Sequence, residues 1–235
     1  MLLLCVSGIV TAFVVKGIMN NTDSELTDTT KTTADEAVNA LPDTDTTKES
    51  TEPTQIVESL QPTELTEVLE KAGYTYNELS DTRQLIVITG DNGDYTIQCY
   101  DFNSGVWQKN HIASGAFVGK NGTIAPDKKT EGDYYTPQGL YDVGFAFGTN
   151  KNPGTAMEYR DVYEGIYWVD DPDSEFYNKW VDGNAQDIEW DSAEKMWTYS
   201  EYAYGMVIEY NTDPIVKGKG SAIFLHIVDY KYTAG

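Results

Sequence analysis

Cysteine and histidine are scarce in this chain: its 235 residues carry two of each. Cys5 lies in an apolar N-terminal segment and Cys99 in a strand-like stretch, which gives neither a disulfide framework nor a CxxC metal pair. Adding His111 and His226 produces no spacing typical of a zinc site. Positive charge is scarce too. Sixteen Lys and Arg face 38 Asp and Glu, a formal net charge of −22. Such a surface repels phosphate backbones, which excludes nucleic acid as a natural partner, and it repels anionic lipid head groups. Helical periodicity is weak along most of the chain. Aromatic residues are missing between Phe13 and Tyr74, yet the whole chain holds 17 Tyr and five Trp. The part beyond residue 74 therefore reads as an aromatic-rich β protein.

The N-terminal residues 1–19 are nearly all apolar, from Met1 to Val15, with Lys16 interrupting. Fifteen residues are short of the roughly 20 needed to span a bilayer, and residues 16–19 bring the run close to that length. No basic stretch precedes it and no A-x-A-like cleavage site follows. We read an export signal or a single-pass signal-anchor. Residues 20–60 are then dominated by Thr, Asp and Glu. Between Asn20 and Thr54 there are eleven Thr and nine acidic residues against two Lys. A segment with so little apolar surface cannot offset its ordering entropy, so a disordered, self-repelling linker is expected.

Residues 61–84 contain a short helix followed by a lead-in to the main domain. Leu65, Val68, Leu69 and Ala72 share one helical face, Thr63 is the expected cap and Gly73 the stop. From residue 85 the pattern turns to strands. Leu85–Thr89 and Tyr95–Tyr100 flank a Gly90-Asp-Asn-Gly93-Asp94 turn signal, and Asn103-Ser-Gly105 marks a second turn. Further strands are expected at Tyr141–Phe145, Tyr204–Tyr210 and Ala222–Val228. A long insert rich in Trp and Tyr separates the first two of these. Its aromatic residues fit either a core for the insert or a substrate groove.

Some motif-like strings carry no chemistry. Gly119-Lys120-Asn121-Gly122 and Gly218-Lys219-Gly220-Ser221 lack the spacing of a phosphate loop. Asp171-Pro-Asp173-Ser-Glu175 has Phe176 where a calcium loop needs Gly, and reads as an exposed acidic turn.

Three other features stand in a fixed order: Thr136-Pro137-Gln138-Gly139 leading into a strand, His226 at the end of the apolar run Ala222–Val228, and Thr233-Ala234-Gly235. With Gly115–Gly122 just before them, they resemble the catalytic region of the L,D-transpeptidases, the YkuD-type domain. The resemblance covers about residues 85–235. It implies a mainly β, sandwich-like catalytic domain with a long loop insert, occupying 85–235. It implies His226 as proton donor and acceptor, and Thr136, Pro137, Gly139, Thr233 and Gly235 as motif positions around the substrate groove. In the family a nucleophilic Cys follows the [ST]-x-Gly string, so here it would follow Gly235.

The reaction so implied needs no cofactor and no metal. The Cys thiolate attacks the carbonyl before the D-Ala at the fourth position of a peptidoglycan stem peptide, D-Ala leaves, and the amine of a second stem accepts the acyl group. Cysteine suits this because its thiolate is strongly nucleophilic, and histidine because its pKa of about 6.5 lets it take and return a proton. Export to the outer face of the membrane or to the wall would follow. Two rival readings remain at this stage. One is a non-catalytic wall-binding protein on the same fold, the other a Cys-dependent stem-peptide hydrolase. His111 lies outside every motif.

Overall fold

The computed structural model describes residues 2–3, 11–17, 60–184 and 189–228. The protein is mainly β with few helices, as the sequence pattern led us to expect.

The first compact unit is a meander with a helix laid on it. Strand β3 (Gln84–Asp91) pairs antiparallel with β4 (Asp94–Asn103), and β4 with β5 (Val106–Ala116). Asn92 and Gly93 both have positive φ, 50° and 95°, as a two-residue hairpin loop requires. Helix α1 (Thr63–Lys71) covers one face of this sheet. Its residues Leu65 and Leu69 are fully buried against Leu85, Val87, Tyr100 and Trp107, with Leu79 from the following turn of 3₁₀-helix. The segment 61–84 is therefore part of the domain core rather than a lead-in to it. Pro62, not Thr63, occupies the cap position, and Thr63 is already helical. The helix stops as expected: Gly73 has φ +77°, its N–H donates to Glu70 O and the Tyr74 N–H to Leu69 O.

Gln61 locks this unit together. Its Nε2 donates to Gly105 O at 2.8 Å and its Oε1 accepts from the Trp107 N–H at 2.9 Å. Gly105 sits in the β4–β5 turn and Trp107 at the start of β5, and Gln61 is buried. Gln61→Ala should cost about 2 kcal/mol, because it strands buried backbone groups as well as losing two bonds. A denaturation midpoint unchanged from the parent would refute this role.

The remaining sheet continues from β3 toward the C-terminal part. Two pieces of the apolar segment, β1 (Leu2–Leu3) and β2 (Thr11–Gly17), lie between β3 and β8 (Gly139–Gly148). β2 runs antiparallel to β3 and parallel to β8. Beyond β8 come β13 (Gly205–Ile208) and β14 (Phe224–His226), each antiparallel to its neighbour. Among the described residues no helix is long and apolar enough to cross a membrane. The linker expected at 20–60 lies outside the described residues except for Leu60.

Between β8 and β13 the long insert builds a second, three-stranded sheet. Strand β10 (Ile166–Val169) is flanked by β11 (Lys179–Asp182) and β12 (Ala193–Lys195). It packs on the main sheet through Phe147, Ile166, Trp168, Met196, Tyr202 and Val207. Trp168 is buried, and Trp180 and Trp197 pack against the same cluster, so these aromatics serve as core. Tyr163, Tyr199 and Tyr204 remain exposed.

Candidate functional site

Alternation places Phe224 and His226 on one face of β14 and Ile223 and Leu225 on the other. The packing agrees. Phe224 joins the aromatic cluster under the insert, while Ile223 and Leu225 join the cluster around Ile88, Tyr95 and Ile208. His226 is exposed at the strand end, with its ring edge-on to Tyr202 at 5.6 Å between centroids. His226 Nδ1 lies 2.8 Å from Ile227 O. A carbonyl only accepts, so Nδ1 carries the proton and Nε2 is left as the basic nitrogen. His111 stands on β5, the far end of the sheet from β14. The two histidines cannot act together.

The Thr136–Gly139 string is a strand junction as well as a turn. Thr136 and Pro137 form β7, parallel to β6 (Thr123–Ile124). Thr136 Oγ1 accepts from the Gly119 N–H at 2.7 Å. A Cβ at Gly119 would stand 2.4 Å from Tyr134 O, so only glycine lets the two backbones approach this closely. Gly139 has φ +147° and opens β8, and the Tyr141 hydroxyl donates back to Gln138 O at 2.6 Å.

Parts of both regions meet at a cavity of about 380 Å³. Gly119 and Thr136 form one wall, and Ser221, Ile223 and Phe224 on the approach to His226 form another. The remaining wall comes from Glu131, Asp170 and Glu194. His226, Pro137 and Gly139 do not line it. Thr233 and Gly235 lie outside the described residues.

Asn178 holds the approach to β14 in place. It is buried at φ 57°, accepts at Oδ1 from Trp168 Nε1 and the Ala222 N–H, and donates to Asn211 O. The insert is thereby tied to the strand that carries His226. A second chain of bonds runs from the Gly220 N–H to the Tyr177 hydroxyl, which donates to Glu131.

The electrostatics of the cavity are unusual. Lys129 is almost fully buried and ion-paired to Asp133 at 2.6 Å. Burial raises the Asp133 carboxyl, but Lys129 and the amides of Thr130 and Tyr135 outweigh it and hold it below its ordinary value. Glu194 has no cationic partner among the described residues. Burial, and then the Asp170 and Glu131 charges, push it up to about 7, against the opposing hydrogen bond from Tyr202. The Tyr202 hydroxyl donates to Glu194, and burial together with that carboxylate raises its own pKa strongly. Tyr202 thus touches His226 with its ring and Glu194 with its hydroxyl. Asp170 Oδ1 is sealed from solvent without a hydrogen-bond partner among the described residues, and Ser221 Oγ, sealed as well, lies against the Tyr177 hydroxyl.

Glu131, Asp170, Glu194, Tyr202 and Ser221 do not stand out in the sequence. The only local hint is Glu194 between the aromatics Trp190 and Trp197. Asp171 is a correction: it is buried rather than part of an exposed turn, and its carboxylate accepts from the Asp173 and Asp191 amides. Among the described residues no three His, Cys, Asp or Glu side chains are grouped to hold a metal ion. Cys99, on β4, is half-buried, and burial followed by the Asp101 charge raises its thiol pKa. That is the opposite of an activated nucleophile.

Comparison with known proteins yields no match: no family model, no curated protein and no solved structure matches this chain.

Proposed function

We propose that this chain carries the histidine half of an exported L,D-transpeptidase-type acyltransferase on a sandwich-like domain, acting on peptidoglycan stem peptides. The observation that carries the reading is the cavity that joins Thr136 of the Thr-Pro-x-Gly string to the strand ending in His226. Thr136 from the one feature and Phe224, two residues before His226 on β14, line the same cavity. The state of His226 also supports it: exposed, with Nδ1 engaged and Nε2 free.

The chemistry requires a thiolate next to His226. Cys99 sits on β4, three positions along the sheet path from β8 and five from β14, with its thiol pKa raised. The nucleophile of this reading is the Cys expected after Gly235. The thiolate would add to the stem carbonyl, and His226 would pass its proton to the leaving D-Ala nitrogen. It would then deprotonate the incoming amine as that amine displaces the thiol. The acidic composition of residues 20–60 suits a domain held outside the membrane.

The test is to read the gene beyond codon 235 and to assay the protein with its following residues on a stem tetrapeptide. Cys at position 236, with D-Ala release and a thioester seen by mass spectrometry, is expected. A stop codon or another residue at 236 sinks the catalytic reading and leaves the wall-binding one, which sedimentation with purified peptidoglycan would measure. Water in place of the amine as final acceptor would identify the hydrolase.

A further inference from the structure

We propose that Tyr202 is a positioning residue for His226: its ring holds the imidazole in the orientation that engages Nδ1 and leaves Nε2 free. The effect on structure rests on geometry alone, and the effect on rate rests on the acyl-transfer reading. His226 needs such a support. It ends β14 and is exposed, and its Nδ1 donates only as far as Ile227 O, on the next residue. A hydrogen bond at an exposed strand end is weak, because water competes for both partners. The Tyr202 ring supplies a second restraint. The two rings are 5.6 Å apart between centroids with their planes at 75°, an edge-to-face arrangement that is favourable beyond the area it buries.

Tyr202 is itself fixed on several sides. It is 7% exposed, and Phe147 and Phe224 of the main sheet meet its ring edge-on, each at 5.6 Å. Tyr199 packs on it at 5.1 Å. Its hydroxyl donates to Glu194 on β12, which pins the ring at its polar end. Its carbonyl accepts from the Thr149 N–H at 2.9 Å. The chain also sets its place beside the histidine. Tyr202 lies in the 3₁₀ turn Ser200–Ala203, just before β13, and Gly205 at the start of β13 is the register partner of His226. The main sheet and the insert therefore hold one ring, and that ring meets the exposed imidazole. The Tyr202 hydroxyl is committed to Glu194, so the contact with His226 belongs to the ring and not to a proton donor. A support of this kind matters in catalysis because a misplacement of about 1 Å can cost up to about 10²-fold in rate.

The test has two arms. The first is NMR of the 15N-labelled full chain, which needs no thiol. The His226 ring of the parent should show one tautomer, with the proton on Nδ1, and nuclear Overhauser contacts to the Tyr202 ring. In Tyr202→Leu those contacts should vanish and the two ring nitrogens should average between tautomers, while Tyr202→Phe keeps the parental pattern. Circular dichroism verifies the fold of each variant, and the parental spectrum tests the proposal even if Tyr202→Leu does not fold. The second arm is single-turnover acylation in a protein carrying the Cys after Gly235. Tyr202→Leu should lower the rate about tenfold with KM for the stem peptide unchanged. Tyr202→Phe should restore it, as a role of the ring requires. Tautomer averaging in the parent, an unaltered His226 spectrum in a folded Tyr202→Leu, or a Tyr202→Phe as impaired as Tyr202→Leu would each overturn the proposal. A parent that does not acylate ends the acyl-transfer reading instead, and the NMR arm then decides the placement of His226 by itself.

Discussion

Replacing Glu194 by glutamine should stabilise the protein at pH 8 and change little at pH 4. The carboxyl is raised from 4.5 to about 7, first by burial and then by the charges of Asp170 and Glu131. Below about pH 4.5 it is neutral in both the folded and the unfolded chain and contributes no pH dependence. Between there and about pH 7 the unfolded chain loses the proton while the folded one keeps it, so the stability of the parent falls as pH rises. Above pH 7 both states are ionised and the full penalty, about 3 kcal/mol, is in place. Glutamine has no such charge and still offers an oxygen to the Tyr202 hydroxyl. The melting temperature of Glu194→Gln should exceed the parent's by several degrees at pH 8. The difference should vanish toward pH 4. Equal melting temperatures across the whole range would mean that Glu194 is solvated and that the cavity is not the low-dielectric acidic site described above.

This residue shows where the sequence is silent. The strands at 84–91 and 94–103 were legible because β-branched alternation and an Asn-Gly turn obey local rules. The helix face at Leu65, Val68 and Leu69 was legible for the same reason. Glu194 is one of 38 acidic residues, and only its placement beside Asp170 and under Tyr202 sets it apart. That placement depends on how β12 pairs with β10, with Trp168 opposite Glu194, which is a long-range fact. Asn178 is similar: it looks like a turn residue and acts as a buried junction between the insert and the approach to β14. The N-terminal apolar segment is a different case. Apolarity alone suits a signal, an anchor or an inner strand, and residues 11–17 occupy an inner strand position between β3 and β8. A central strand and a membrane-directed run draw on the same residue types.

In a protein carrying the Cys after Gly235, His226→Ala should lower the rate of acylation by roughly 10²–10⁴-fold while leaving the fold intact. The fold should survive because His226 is exposed, and its packing partner Tyr202 keeps its contacts with Phe147 and Phe224. The rate should fall for two reasons. The thiolate loses the imidazolium that favours it, so the thiol pKa should return toward about 8.5. The departing D-Ala nitrogen also loses its proton source, since Nε2 is the free nitrogen of this ring. Alkylation rates measured against pH report the first effect, and single-turnover D-Ala release reports the second. Tyr202→Phe gives a useful contrast: it removes the hydroxyl on Glu194 and keeps the ring that packs on His226. Its acylation rate should stay within a few-fold of the parent. Acylation of His226→Ala at the parental rate would make this histidine a structural one and would end the acyl-transfer reading, because His111, on the far end of the sheet, cannot replace it.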